Sequence, residues 1–476
     1  MYKVIKQKEK IEFIEYNFDQ IWRYAPINLV EGKVKMQGKS VNPKQLSFLY
    51  PNLLDQLDPK TPLLKLSKRI PWDYFEESFK DLYSRTGRPS KPVRLMVGLC
   101  ILKHVENVSD EVLVERWVQN PYYQAFCGEV DFQWRLPCDP TDLTYFRKRI
   151  GKEGFEKILS VSVAIHAEEI KEKEVCIDTT VQEKNVTFPT DDKLYRKVIE
   201  GCWKLSQKYE IKLRRSYRRE LKKRLLALRF RSHPKNKKKA RKASKRLRTI
   251  GGILVRELRR KLPEAGLLKE LKKIELYEGV LAQKRQDKDK IYSLHESHIY
   301  CMSKGKLHKK YEFGVKASIA KTKTSGLIVG AMCFSTNRFD GHTLPEVLAQ
   351  IKKISNWIPE MALCDRGYRG KKKVGETQIL LPGSPLVDTQ SAYERRKQRN
   401  RFRKRAGIEG VIGHLKSEHR LGRNFLSGFL GDEMNVLMAA AAFNFRKWLR
   451  AFYFALYLRR CLLESLYWSY SAPRAV

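Results

Sequence analysis

Three acidic residues stand where an acid is either costly or well placed for chemistry. Asp178 sits mid-run in Cys176-Ile177-Asp178-Thr179-Thr180, whose β-branched composition reads as a buried strand. A carboxylate there is expensive unless it is paired or metal-bound. Asp365 follows the apolar run Met361-Ala362-Leu363-Cys364 and precedes a turn glycine, Gly367; in open α/β sheets ligands gather at such strand ends. The third acid, Glu409, belongs to a stripe. On a helix of about 3.6 residues per turn, Phe402, Arg405, Glu409 and Lys416 fall within an arc of roughly 60°. One aromatic ring, one acid and two bases therefore share a line. Carboxylates from two strands and a packed helix suit Mg²⁺, which takes oxygen ligands and keeps several waters. Two such ions about 4 Å apart activate a nucleophile and stabilise the leaving oxygen in phosphodiester cleavage. Taken alone, each acid has a structural reading, and Arg405–Glu409 is also an ordinary i,i+4 pair. Gly407, Gly410 and Gly413 on the same helix each cost roughly 1 kcal/mol relative to alanine, which suggests that another backbone or a polynucleotide comes close.

Those positions demand a sheet with a helix laid against it. Residues 174–182, 311–319, 326–334, 361–364 and 378–381 read as strands, and Thr324-Ser325-Gly326 joins the second and third as a hairpin. A helix over 343–355 follows the third strand, and a long basic helix begins near Ser391. The order predicts a mixed α/β layer fold. Upstream, residues 72–159 turn helical. Pro92 opens an apolar helix over 93–103. Ser109 caps a second, with Val112, Leu113 and Trp117 on its apolar side. Asp139-Pro140-Thr141-Asp142 opens a third, over 143–150, that ends at Gly151. This is an all-α unit.

Charge narrows the class. The 476 residues carry 96 Lys plus Arg against 53 Asp plus Glu, a formal charge of +43. Such an excess repels itself unless a polyanion neutralises it, which favours nucleic acid over a membrane surface. Residues 201–260 hold 24 Lys plus Arg and 3 Glu, and leucines at helical spacing there predict a pair of long basic helices inserted into the α/β region. The nine cysteines are scattered with no CxxC pair, as expected of reduced core residues in a cytosolic protein. Residues 1–10 are charged and lack the apolar core of a signal peptide. The apolar run 451–458 is far shorter than the roughly 20 residues of a span, so residues 433–470 read as a packing helix.

At this point a family resemblance is plain. Ile177-Asp178-Thr179-Thr180-Val181-Gln182-Glu183-Lys184-Asn185 with Phe188-Pro189-Thr190-Asp191 resembles the first catalytic block of insertion-sequence DDE transposases, in the IS-five branch of the IS-four/IS-five group. Asp365-Arg366-Gly367-Tyr368-Arg369-Gly370 resembles the second block. Arg405-x3-Glu409-x6-Lys416 resembles the third, Tyr-x2-Arg-x3-Glu-x6-Lys, with Phe402 in the tyrosine place. Tyr83-Ser84-Arg85-Thr86-Gly87-Arg88-Pro89 and the helices after it are similar to the family's N-terminal region, so the likeness covers roughly residues 75–450. It implies an α/β, RNase H-like (retroviral-integrase-like) catalytic core over 170–192 and 291–450. A helical DNA-binding or oligomerisation domain over 71–165 would precede it, and a basic helical insertion over 193–290 would interrupt it. A poorly defined segment 1–70 and a C-terminal helix or tail 451–476 complete the division. It further implies that Asp178, Asp365 and Glu409 are the catalytic metal ligands, that Mg²⁺ (or Mn²⁺) is the cofactor, and that Phe402, Arg405 and Lys416 touch DNA. The expected partner is double-stranded DNA, as terminal inverted repeats and target, bound by a homo-oligomer such as a dimer. The expected setting is the cytoplasm, at the nucleoid, with no membrane. The rival reading is a transposase-derived DNA binder that has lost catalysis; intact acids in all three blocks argue against it.

Weaker signals fall away. Gly370-x4-Gly375 is followed by Glu376-Thr377, where a phosphate-binding loop needs lysine first. His295, His298, His414 and His419 lack cysteine partners or a His-Glu-x-x-His pattern, and read as surface or DNA-contacting histidines, not zinc ligands.

Overall fold

The structure, a computed structural model, describes residues 37–38, 52–84, 86–166, 172–262, 267–284, 286–303, 309–382 and 391–471. The stretch 1–10 and most of the segment 1–70 lie outside the described residues.

The helical unit comprises α1 (Leu53–Gln56), α2 (Pro62–Arg69), α3 (Trp72–Phe79), α4 (Val93–Val105), α5 (Asp110–Gln119), α6 (Pro121–Cys127) and α7 (Pro140–Ala164). Its boundaries follow local chemistry. Pro92 precedes α4, which is buried along nearly all its length. The Ser109 hydroxyl accepts the Val112 N–H and caps α5. On α5, Leu113, Val114 and Trp117 are buried, whereas Val112 is 37% exposed: the core face runs through the i,i+4 pair and Val114, not Val112. Asp139 and Asp142 form a capping box around Pro140 at the start of α7. Gly151 does not end that helix. It takes φ 59°, ψ −166° and kinks it, and the chain continues because Phe155, Ile158 and Leu159 beyond it are buried in the same core.

The sheet has the order β2 (Tyr300–Met302), β3 (Glu312–Thr322), β1 (Glu174–Lys184), β5 (Met361–Leu363), β7 (Thr377–Leu380), β6 (Lys373–Val374). In addition β4 (Ile328–Phe334) pairs with β3, and β8 (Arg423–Asn424) pairs with β1. It is mixed. β1 runs antiparallel to β3 and parallel to β5 and β8. The hairpin β3–β4 turns through Gly326 at φ 73°, as glycine permits. The five strands expected from sequence are present; β2, β6 and β8, of two or three residues each, carry no pattern long enough to read.

α12 (Leu344–Ser355) covers β4 on one side. The long α15 (Gly428–Ser471) lies along α7, β4 and α4, with Ala439, Ala440, Ala441 and Ala442 fully buried there. Asn444 fixes it: its amide accepts the Ile328 N–H at 3.0 Å and donates to the Ile328 carbonyl at 2.8 Å and to Ser162 at 3.1 Å. One apolar core therefore runs from α2–α7 through the sheet to α15. Among the described residues no helix is long and apolar enough to cross a membrane.

Between β1 and β2 the chain builds a second body: α8 (Asp191–Lys208), α9 (Arg218–Leu228), α10 (Lys237–Lys261) and α11 (Leu267–Ala282). Four helices replace the expected pair, because Pro234 separates α9 from α10 and the apolar face of α8, Leu194, Val198, Ile199, Cys202 and Leu205, joins the bundle. These residues make a core of their own.

The expected basic helix after Ser391 is two: α13 (Ala392–Arg405) and α14 (Gly407–Glu418), meeting at Ala406. They lie on the face of β1 that presents Cys176, with Cys176, Leu363 and Ile408 packed together and Phe402 and Ile412 beside them. Of the cysteines with described side chains, all are free thiols; Cys301 is half-buried and the others buried. The side chain of Cys461 lies outside the described residues.

Candidate active site

Register brings the two aspartates together. β1 and β5 pair in parallel with Cys176 opposite Leu363, so two residues on, Asp178 and Asp365 stand level just past the end of β5. Each ties one carboxylate oxygen to its own backbone: Asp178 Oδ1 accepts the Thr179 N–H at 2.7 Å, and Asp365 Oδ1 accepts the Gly367 N–H at 2.8 Å. The other oxygens share one cation. Arg405 Nη2 lies 3.3 Å from Asp178 Oδ2 and 3.9 Å from Asp365 Oδ2. Arg405 is 13% exposed at its side chain, and its Nε is buried without a hydrogen-bond partner. The two-carboxylate seat is thus a place that accepts positive charge, with hard oxygen donors of the kind a divalent cation takes.

Glu409 does not join them there. It lies in the first turn of α14, exposed to solvent, where its charge suits the helix dipole. Among the described residues no three His, Cys, Asp or Glu side chains are grouped to hold an ion. Lys416 is half-buried in the last turn of α14. Phe402 is half-buried against the small cluster on Cys176. The break at Ala406 divides the stripe into Phe402 and Arg405 on one helix, Glu409 and Lys416 on the next.

Sequence reasoning missed a third carboxylate. Asp340, in the turn after β4, accepts from Thr179 Oγ1 at 3.0 Å and from Lys316 Nζ at 2.9 Å through Oδ1. Its Oδ2 approaches Gly367 from one side while Asp365 Oδ1 approaches from the other: a Cβ at Gly367 would lie 3.2 and 2.9 Å from them. Glycine is needed there for space. Tyr368, next in chain, is fully buried with its hydroxyl unpartnered. Burial foremost, then Cys364 and the negative charge of Asp178, Asp340 and Asp365, raises its pKa well above the usual phenol value, so it stays protonated. Asp340 lies in Phe339-Asp340-Gly341-His342, whose Asp-Gly pair signals a turn and nothing more.

Two of the four histidines, His298 and His419, differ from the surface expectation. His295 and His298 lie outside any helix. His298 Nε2 bonds Asp432 Oδ2 at 2.7 Å, within a buried group where Lys184 Nζ meets Asp432 at 2.9 Å and Glu296 at 3.3 Å. His419 is buried. His295 and His414 are at the surface, His414 paired with Glu418. The acids beside His298 are already paired with Lys184, and among the described residues no group suited to hold an ion is found.

A carboxylate within β1 level with one at the end of β5, faced by the arginine-rich helix α13, is suited to phosphodiester chemistry. Residues 51–149 match the family described as Transposase domain (DUF772), and residues 281–445 match the family described as Transposase DDE domain. The chain is 44% identical over 177 residues, 36% of its own length, to the "Uncharacterized protein ORF8 in nfe locus" of Rhizobium meliloti, of which it covers 86%. No solved structure matches it. The chain belongs to the DDE transposases of bacterial insertion sequences, a family of DNA-cleaving and strand-transferring enzymes that use divalent metal. The DDE match contains Asp365, Arg405, Glu409 and Lys416 but begins after β1. Asp178 therefore enters by register alone.

Proposed function

We propose that this protein binds the terminal inverted repeats of its insertion sequence as an oligomer and catalyses Mg²⁺-dependent strand cleavage and strand transfer on an RNase H-like core, as in the IS-five branch. The observation that carries the reading is the level placement of Asp178 and Asp365 about a single cationic seat, beside the basic helix α13. Asp178 and Asp365 would hold the metal from the sheet and Glu409 from α14. Bound there, Mg²⁺ would supply Lewis acidity toward the scissile phosphate and lower the pKa of a nucleophilic water. The water oxygen bonds to phosphorus, the P–O3′ bond breaks, and the free 3′-hydroxyl then attacks a target phosphodiester, displacing the target's own 3′-oxygen. Arg405 pairs with the aspartates through Nη2 alone; with a metal ion between the carboxylates, its guanidinium would turn to a DNA phosphate. Lys416 and the exposed edge of Phe402 belong to the same DNA face. The division into a helical unit over 71–165, a split catalytic domain and an insertion over 193–290 is retained, with the insertion tracking the duplex backbone.

The test is a nicking assay on duplex DNA carrying the element's ends, with Mg²⁺ and with EDTA. Metal-dependent nicking at the ends is expected. Tight binding with no nicking in Mg²⁺ or Mn²⁺ would establish the rival, a transposase-derived binder without catalysis.

A further inference from the structure

Lys321 is the unexplained cation of the active-site face. It lies on β3 opposite Cys176, so it shares a sheet face with Asp178 and is its diagonal neighbour. The residue is 5% exposed. Among the described residues it forms no ion pair and no hydrogen bond from its ammonium group. The acids beside it are engaged: Asp178 by Arg405 at 3.3 Å, and Glu174 by Lys323 at 2.9 Å and Arg401 at 3.1 Å. An ammonium on a mostly buried residue with no counter-charge of its own is open to an anion from outside. Its Nζ is aimed at the start of α14, 3.5 Å from where a Cβ on Gly407 would be. That is the positive end of a helix of 12 residues, and its N-cap, Ala406, offers no side-chain acceptor. Two features of like sign are therefore set against each other, with only the exposed Glu409 of the first turn to offset them.

The surface beyond Gly407 is bare. A Cβ at Gly410 or Gly413 would meet nothing within 4 Å, so no part of the described chain explains why these helix positions lack side chains. Glycine there leaves the backbone open to close approach from outside.

We propose that Lys321 and the glycine-faced start of α14 form a seat for a backbone phosphate of the bound DNA. The phosphate would pair with the Lys321 ammonium and lie against the helix N-terminus, as anions do at such ends. Gly407, Gly410 and Gly413 would let the strand pass against the helix next to Asp178. This rests on the transposase reading, since it takes the anion to be a DNA phosphodiester and not a free ion.

The experiment measures duplex DNA binding by fluorescence anisotropy across a salt series, in EDTA so that no cleavage intervenes. Lys321→Gln is expected to weaken binding about tenfold, as removal of one charge-assisted bond would, and to flatten the slope of log K against log salt by about 0.9. Lys321→Arg should restore both. Gly410→Leu adds a side chain into open space, so it should leave the melting temperature unchanged or higher while weakening DNA binding. Unaltered affinity and salt slope in Lys321→Gln, with Gly410→Leu binding as the wild type does, overturn the seat and leave the transposase reading standing. Failure of the wild type to bind any duplex overturns both. If inorganic phosphate raises the melting temperature of the wild type but not of Lys321→Gln, while DNA affinity is equal, the seat takes a free anion and the proposal is wrong.

Discussion

Acid should loosen the seam between the helical unit and the helices at the active site. His104 on α4 lies 3.3 Å from the Cys100 carbonyl and 3.3 Å from Asn435 Oδ1 on α15. His419, at the end of α14, meets the His104 carbonyl at 3.0 Å. Both rings are buried. Burial foremost, then the Lys103 ammonium, holds the His104 pKa down to about 3 despite its two acceptors. Burial likewise brings His419 down to about 4, against the hydrogen bond to the His104 carbonyl. In the unfolded chain both return to 6.5. The unfolded state therefore binds more protons below pH 6.5, and stability falls as pH drops from there toward 4 and then 3. At pH 5.0 the gap from the unfolded value corresponds to about 2 kcal/mol for each ring and about 4 kcal/mol for both. That figure depends little on where below about 4 the folded values sit, because neither ring has begun to protonate in the fold. The carboxylates held down to about 2, Asp110, Glu220 and Glu270, change only at lower pH. Urea unfolding at pH 7.5 and 5.0, at one ionic strength, reads the loss directly. The double variant His104→Gln, His419→Gln should lose about 4 kcal/mol of that pH dependence, whatever its stability at pH 7.5. An identical pH dependence in wild type and double variant would refute the assignment.

Asp178→Asn, Asp365→Asn and Glu409→Gln should each abolish metal-dependent cleavage while leaving duplex affinity intact; cleavage at the wild-type rate in any one removes that residue from the site. Neutralising several exposed lysines and arginines of α10 should weaken binding to all sequences alike and lower the salt slope by about 0.9 for each phosphate left unpaired, whereas an unchanged slope would turn the insertion away from DNA. Phe402→Ala should lower the melting temperature, since the ring packs beside Cys176, Leu363 and Ile408, and should also impair end cleavage. Phe402→Leu, which keeps apolar volume and loses stacking worth about 1–3 kcal/mol, separates the two: normal cleavage by it would leave Phe402 a packing residue only.

What is legible in the sequence has a period or a cap. Ser109, Asp139 and Pro92 mark helix starts because their chemistry acts within three residues, and β1, β3 and β4 are readable because their composition persists over several residues. The hairpin turn at Gly326 shows itself in the same way. The pairing of β1 with β5 is not legible, since residues far apart in the chain set that register, and with it the level placement of Asp178 and Asp365. Asp340 escapes notice because a turn aspartate is common, and only its approach to Gly367 makes it part of the site. The stripe from Phe402 to Lys416 assumes one helix, whereas the chain forms two, α13 and α14, that meet at Ala406. In sequence Lys321 is like any strand lysine, and only the fold brings its ammonium to the start of α14.

The strand that carries Asp178 is also the root of the insertion. β1 ends at Lys184 and α8 begins at Asp191, while the chain returns from α11 to β2 past Glu296 and His298. Both crossings meet in one buried charge group: Lys184 bonds Asp432 and Glu296, His298 bonds Asp432, and Asn424 donates to Asp432 at 2.6 Å. Removing one member would strand the others out of water, which costs about 3–5 kcal/mol for a buried pair, so the group holds the ends of the insertion at a fixed place on the sheet. The insertion's own apolar core, from Leu194 to Leu281, packs its helices together beyond that point. A duplex lying along its basic helices, as proposed, would then be held at a set distance from Asp178. On the proposed reading, a bundle with a separate core would thereby take part in positioning DNA at acids on another part of the fold.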